Sequence, residues 1–150
     1  MKPFLAVTEP GGTSSNLSER EDAGSRESPA PTILVIDDDQ IVCAVTERVL
    51  GAFGFRVLTA TDSGEGITLF RRHSREIACT LLDVTMPGPG VEVTLDEIRR
   101  DHPQARVILV SGHNAAELAS RFPPGKVSAV LQKPFDPERL RALLDEVLSS

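Results

Sequence analysis

The chain has 150 residues and a formal net charge of −6, enough length for one domain with a real core and too little for two full ones. The acidic balance excludes a nucleic-acid surface, because phosphate binding needs a clustered excess of Lys and Arg that this sequence lacks. The early apolar run Phe4-Leu5-Ala6-Val7 is too short for a signal-peptide core and far too short to span a bilayer, so a soluble protein with no membrane partner is expected.

Residues 1–31 are rich in Gly, Ser, Glu, Thr and Pro and show no helical or strand period. They cannot bury enough apolar surface to offset their ordering entropy, so a disordered tail or linker is expected there, with a folded domain over residues 32–150. Ile33-Leu34-Val35-Ile36 is a short, fully apolar run of the kind a central parallel strand needs, and it ends in Asp37-Asp38-Asp39. Val42, Val45, Val49 and Leu50 then recur at helical spacing until Gly51 and Gly54 close the segment. Residues 55–60 form a second strand by their pattern. Asp62 with Glu65 gives a capping box for a helix whose apolar side carries Ile67, Leu69 and Phe70.

The third strand, residues 78–83, ends abruptly in one carboxylate, Asp83, and Pro87 stops any regular continuation. After a Gly/Pro loop over residues 87–90, a helix carrying Leu95 and Ile98 ends at His102-Pro103. Residues 106–110 make a fourth strand, followed by Ser111-Gly112. Asn114 and Glu117 open a helix with a thin apolar side, Leu118 and Phe122, which is expected to be the most weakly packed. Residues 127–131 make a fifth strand that runs into Gln132-Lys133-Pro134. Asp136 as N-cap and Pro137 at the first helical position start a last helix with Leu140, Leu143, Leu144 and Val147 on one face. Five strands alternating with five helices predict an α/β fold, a parallel sheet covered on both faces. Cys43 and Cys79 fall inside apolar patterns without metal-ligand spacing, and with no disulfide framework a cytoplasmic location follows.

The strand ends carry Asp37, Asp38, Asp83, Ser111 and Lys133. In an open parallel sheet the strand ends share one edge, where ligands gather. Singly, each residue has an ordinary reading as a helix-start acid, a turn cap or a solvated charge; together they do not. Two carboxylates about 5 Å apart repel by about 3 kcal/mol at an effective dielectric near 20, so three acids need compensation. A divalent cation is implied: hard oxygen ligands with room for water and a phosphate oxygen suit Mg²⁺, with Lys133 supplying a further positive charge. There is no P-loop and no dinucleotide fingerprint, so the phosphate is expected to arrive on a small donor or another protein. Asp83 as nucleophile would form an acyl phosphate, with the cation, Lys133 and the Ser111 hydroxyl bonding the phosphoryl oxygens.

Ile-Leu-Val-Ile-Asp-Asp-Asp, Leu-Leu-Asp-Val-Thr-Met-Pro, Val-Ile-Leu-Val-Ser-Gly and Leu-Gln-Lys-Pro-Phe occur in this order and spacing over residues 33–135. By these motifs residues 32–150 resemble a response-regulator receiver domain of two-component signalling, most similar in wording to receivers of hybrid histidine kinases. The resemblance implies a flavodoxin-like, doubly wound (βα)5 fold with Asp83 as phosphoacceptor. It also implies Asp37, Asp38, Asp83 and the Thr85 backbone carbonyl as Mg²⁺ ligands, Ser111 as switch hydroxyl and Lys133 as phosphate-binding lysine. Asp39 remains a helix-start residue, and Lys133-Pro134 is expected to be cis.

The implied donor is a phosphohistidine on a histidine kinase or a histidine phosphotransfer protein; the protein is no enzyme beyond its own phosphorylation and dephosphorylation, and a homodimer is compatible with the sequence. Two positions depart from the family pattern. Pro89, Gly90 and Val91 stand where Met-Asp-Gly is common, and Val130 occupies a usually aromatic position, a stiff, small side chain in place of a swinging ring. Thr85 and His113 are candidates for control of acyl-phosphate lifetime. Two other readings stay open: a receiver-like interaction scaffold without phosphorylation, and a haloacid-dehalogenase-like phosphatase with Asp37 as nucleophile.

Overall fold

The computed structural model describes residues 30–86, 90–112, 114–123 and 125–149. Ten elements alternate: β1 (Thr32–Ile36), α1 (Gln40–Ala52), β2 (Arg56–Ala60), α2 (Ser63–Arg72), β3 (Ile77–Asp83), α3 (Val91–Asp101), β4 (Val107–Ser111), α4 (Ala115–Ala119), β5 (Ala129–Gln132) and α5 (Pro137–Ser149). The strands form one sheet in the order β2-β1-β3-β4-β5, and every neighbouring pair is parallel. All five expected strands and all five expected helices are present. The expected tail lies almost wholly outside the described residues.

Alternation along each strand divides the core in two. Ile33, Val35, Cys79, Leu81, Ile108, Val110 and Leu131 point to the side packed by Cys43 and Leu50 of α1 and by Leu140, Leu143, Leu144 and Val147 of α5. Leu34, Ile36, Leu82, Val107 and Leu109 point the other way, against Phe70, Leu95, Ile98, Leu118 and Phe122. Successive side chains of a strand leave opposite faces, so apolar runs without polar breaks are what a sheet covered on both sides requires. Both cysteines are buried and free, as expected, and burial pushes the Cys79 thiol up to about 12.

The helix starts follow their caps. Asp39 Oδ1 accepts from the Ile41 and Val42 amides at 2.9 and 3.3 Å, Asp62 Oδ1 accepts from Glu65 N at 2.7 Å while Glu65 Oε1 accepts from Thr61 N at 3.0 Å, and Asp136 Oδ1 accepts from Arg139 N at 2.7 Å.

Three local expectations change. On α1, Thr46 is buried and Val45 stays 55% exposed, because a period of 3.6 leaves neighbouring positions at the edge of an apolar stripe interchangeable. On α2, the buried side is Ser63, Gly66 and Phe70, with Ile67 and Leu69 half-buried. The helix comes so close to β1 that a Cβ on Gly66 would lie 2.5 Å from Ile36 Cδ1. Helix α4 stops at Ala119, so Phe122 reaches the core from the following turn. Pro123 disfavours helical backbone at Phe122, and the Ser120 hydroxyl donates to the Glu117 carbonyl at 2.7 Å.

Candidate functional site

β1 lies between β2 and β3, so the chain reverses its winding direction when it crosses from β2 past β1 to β3. The crevice beyond the carboxyl ends of β1 and β3 is the topological switch point, where a sheet of this kind opens to a ligand. Asp37 follows β1 directly and Asp83 is the last residue of β3, so two carboxylates face each other across that crevice. Both are 4% exposed, whereas Asp38, one step further, is exposed. One carboxylate oxygen from each of Asp37, Asp38 and Asp83 lies within 4.8 Å of the others.

The backbone and one amine hold this cluster. Asp37 Oδ1 accepts from the Asp39 amide at 2.9 Å and Asp37 Oδ2 from Lys133 Nζ at 2.9 Å. Asp83 Oδ1 accepts from both the Thr85 amide, at 3.1 Å, and the Thr85 hydroxyl, at 2.9 Å, which leaves Asp83 Oδ2 on the side of Lys133 Nζ, 3.8 Å away. Lys133 is placed by its own amide, which donates to the Ser111 carbonyl at 2.7 Å; the Lys133-Pro134 bond that follows is cis, as expected. Burial works against the charge on the Lys133 amine, but the hydrogen bond to Asp37 and the charges of Asp83, Asp37 and Asp39 outweigh it, so its pKa is raised.

Three carboxylates against one ammonium leave two negative charges in a space a few ångströms across. Hard oxygen donors with that residual charge fit a divalent cation such as Mg²⁺, with coordination positions left for water or a phosphate oxygen. Beneath the cluster the Cys43 thiol donates to the Asp37 carbonyl at 3.2 Å, and burial followed by the nearby Asp37 charge raises its pKa. That thiol stays neutral and works as packing under Asp37.

The structure brings together Asp37, Asp38, Asp83 and Lys133. Ser111, 2% exposed, ends β4 on the same edge and lines an adjoining hollow with Val84, Thr85, Asn114, Glu117, Leu118 and Arg121. Thr85 meets Asp83 through its amide and hydroxyl, a contact that the sequence signalled only by placing a hydroxyl two residues after the acid. Asp39 caps α1, as expected. Gly90 is the residue before α3 and Val91 its first, while Pro89 and His113 lie outside the described residues. Val130 packs partly buried against the side that holds Leu118 and Phe122. Among the described residues no helix is long and apolar enough to cross a membrane.

Comparison with known proteins adds a second line of evidence. The sensor kinase CckA of Brucella abortus is 28% identical over 121 residues, which cover 81% of this chain but 13% of that protein. The chemotaxis protein CheY of Treponema pallidum is 25% identical over 134 residues, 88% of this chain and 93% of its own length. Several curated relatives are thus much longer than this chain: it spans 44% of a probable transcriptional regulator of Guillardia theta and 27% of the nitrogen regulator NtrX of Azorhizobium caulinodans. Among solved structures, a response regulator receiver domain protein from Clostridium thermocellum superposes with a TM-score of 0.72 at 28% identity, covering 79% of this chain and 94% of that one. The receiver domain of the hybrid histidine kinase CckA superposes at 0.65 and 28% identity, over 78% of this chain and 98% of that one. The sequence pattern of the response regulator receiver domain matches residues 33–145. Fold, switch-point acids and this match agree, and the chain belongs to the response-regulator receiver family of two-component signalling.

Proposed function

We propose that residues 32–150 act as a phosphoacceptor module in a two-component phosphorelay and that Asp83 takes the phosphoryl group. The observation that carries this reading is the meeting of Asp37, Asp38 and Asp83 within 4.8 Å of one another, with Lys133 Nζ at 2.9 Å from Asp37 and 3.8 Å from Asp83. Asp37, Asp38, Asp83 and the Thr85 carbonyl would hold Mg²⁺. Such an ion supplies neutralisation of phosphoryl oxygen charge when bound.

The remaining steps belong to the chain's own groups. Two hydrogen bonds from Thr85 fix Asp83 Oδ1, so Oδ2 is the oxygen that attacks phosphorus. The bond from phosphorus to the donor imidazole breaks, and its electron pair leaves on the imidazole nitrogen. Lys133 swings from Asp37 to an equatorial phosphoryl oxygen, and the Ser111 hydroxyl bonds another; the protein's contribution is mostly position and fixed charge. The donor is a phosphohistidine on a histidine kinase or phosphotransfer protein in the cytoplasm, and residues 1–31 serve as a tail or linker to this module. The protein acts on itself rather than on a turned-over substrate.

Intact-mass measurement after incubation with a small phosphodonor and Mg²⁺ tests the reading. One phosphoryl addition is expected on the natural chain and none on Asp83→Asn or without divalent cation. Equal labelling of both chains would overturn it.

A further inference from the structure

At the edge of the sheet opposite the acids, a hollow of about 400 Å³ opens between the carboxyl ends of α2 and α3, lined by Phe70, Ser74, Ile77, His102, Gln104 and Arg106 among others. That volume falls in the range of about 300–1,000 Å³ usual for small-molecule pockets. Ile77 begins β3 and Asp83 ends it, so the hollow lies about 20 Å from the acid cluster at roughly 3.3 Å per strand residue. Its lining includes rings: His102 meets Phe70 edge-on, with centroids 5.5 Å apart. One wall is held in place by Arg99, whose Nη1 donates to the Pro103 and Ala105 carbonyls at 2.9 and 2.6 Å.

The net charge of −6 conceals a local reversal here. Residues 71–76 and 99–106 carry six arginines against Glu76 and Asp101, and folding sets the two segments on either side of the hollow. Helix carboxyl ends do attract cations. Yet α1 and α5 finish without a basic residue in the last turn, whereas α2 ends on Arg71-Arg72 and α3 carries Arg99-Arg100. Some of this charge is spent within the fold. Arg71 binds Glu97 and Asp101 at 2.7 Å each, Arg100 reaches Glu97 at 3.2 Å, and Glu76 meets His73 at 3.1 Å. Arg72 and Arg75, both exposed, meet no acid among the described residues.

We propose that this hollow binds a mononucleotide. A flat base suits a lining that holds His102, Phe70 and Ile77, since bases stack on aromatic side chains whatever their identity. A phosphate suits the arginines, whose planar guanidinium groups bind its oxygens in pairs: Arg106 belongs to the lining, and Arg72 and Arg75 stand on either side of the lining residue Ser74. An apolar ligand would leave those charges unused, and an inorganic anion would leave the rings bare. The chain as a whole lacks the long basic face that a nucleic acid strand needs, so a single nucleotide is the match. The hollow is at the far end of β3 from Asp83, and binding there does not depend on whether Asp83 is phosphorylated.

Amide NMR of the full chain titrated with AMP, GMP, CMP and UMP tests this, with EDTA present to keep divalent cations off the acids. The expected result is saturable shifts over residues 74–78 and 102–106, at submillimolar concentration, with at least one of these nucleotides. Arg72→Gln together with Arg75→Gln, at exposed positions, should weaken that binding about fivefold, while Asp83→Asn should leave it unchanged. No saturable shift with any of the nucleotides at millimolar concentration would overturn the proposal. Equal shifts with inorganic phosphate alone would also overturn it, since they mean an adventitious anion only, and so would undiminished affinity in the double variant.

Discussion

The two faces of the sheet are packed in different ways, and the difference bears on how a signal could leave the site. One face is covered by two helices of 13 residues each, α1 and α5, and α5 alone contributes four buried aliphatic side chains. The other carries three shorter helices of 10, 11 and 5 residues. Its weakest quarter is α4, which buries Leu118 and needs Phe122 from the turn beyond it to complete the cover. Ser111 and Thr85 open toward that quarter, and Arg121 reaches α3 through an exposed ion pair with Glu92 at 3.0 Å. Elements that move are drawn from the least stable part of a fold. A phosphoryl group held by Ser111 would therefore bias the position of α4 while α1 and α5 keep the acids in place.

The contrast breaks if the two faces respond alike to truncation. Leu144, wholly buried on α5, should cost about 2–5 kcal/mol as Leu144→Ala, whereas Phe122→Ala should fall below the usual cost of a core Phe→Ala, at about 1–2 kcal/mol, because a short helix and a turn can settle into the space. Denaturant unfolding of the full chain measures both, and amide exchange should be faster over residues 116–122 than over α5. Equal costs with equal exchange would remove the distinction.

Gly66 sharpens it, since it marks the place where the thinner face is tightly pressed. Gly66→Ala would drive a methyl into the buried Ile36 side chain, and the overpacking should cost about 1–3 kcal/mol, more than the helix propensity gained. An unchanged or raised melting midpoint would show that α2 can move away freely.

A smaller effect lies in the better-packed face. Cys79 keeps its proton in the folded chain up to about 12 and loses it near 9.0 when unfolded. Between those values the unfolded state binds fewer protons, so stability falls as pH rises through the window. Cys79→Ala, though less stable at neutral pH, should lose stability with a shallower slope above pH 9.0 than the natural chain. Parallel slopes would mean that water reaches β3. The smallest expected change is at the exposed junction of α2 and α3, where Arg71 bridges Glu97 and Asp101 at 2.7 Å each. Arg71→Ala should barely move the melting midpoint, and what it does should vanish in high salt, because solvent and ions screen such pairs.

The alternation of strands and helices was legible because unbroken apolar runs and capping residues are local signals. The acids at the strand ends were legible because topology alone sends Asp37 and Asp83 to one edge. What escaped depends on tertiary approach. Thr46 replaces Val45 inside because α1 is rolled by its neighbours. Gly66 is buried because α2 presses on Ile36, and Phe122 is core without being helical. The Thr85 hydroxyl on Asp83 needs the turn after β3 to be seen. Val130 stands where the family usually has an aromatic side chain, and the fold adds that it packs against the cluster on the side of the sheet that holds Phe122.

The central claim is that Asp83, and no other carboxylate of the cluster, carries the phosphoryl group. Reduction of the phosphorylated full chain with borohydride, followed by peptide mapping, reads this directly, because an acyl phosphate on aspartate is converted to homoserine. Homoserine at position 83 alone is the predicted result. Homoserine at position 37 or 38, or none at all after confirmed phosphoryl transfer, would contradict the account.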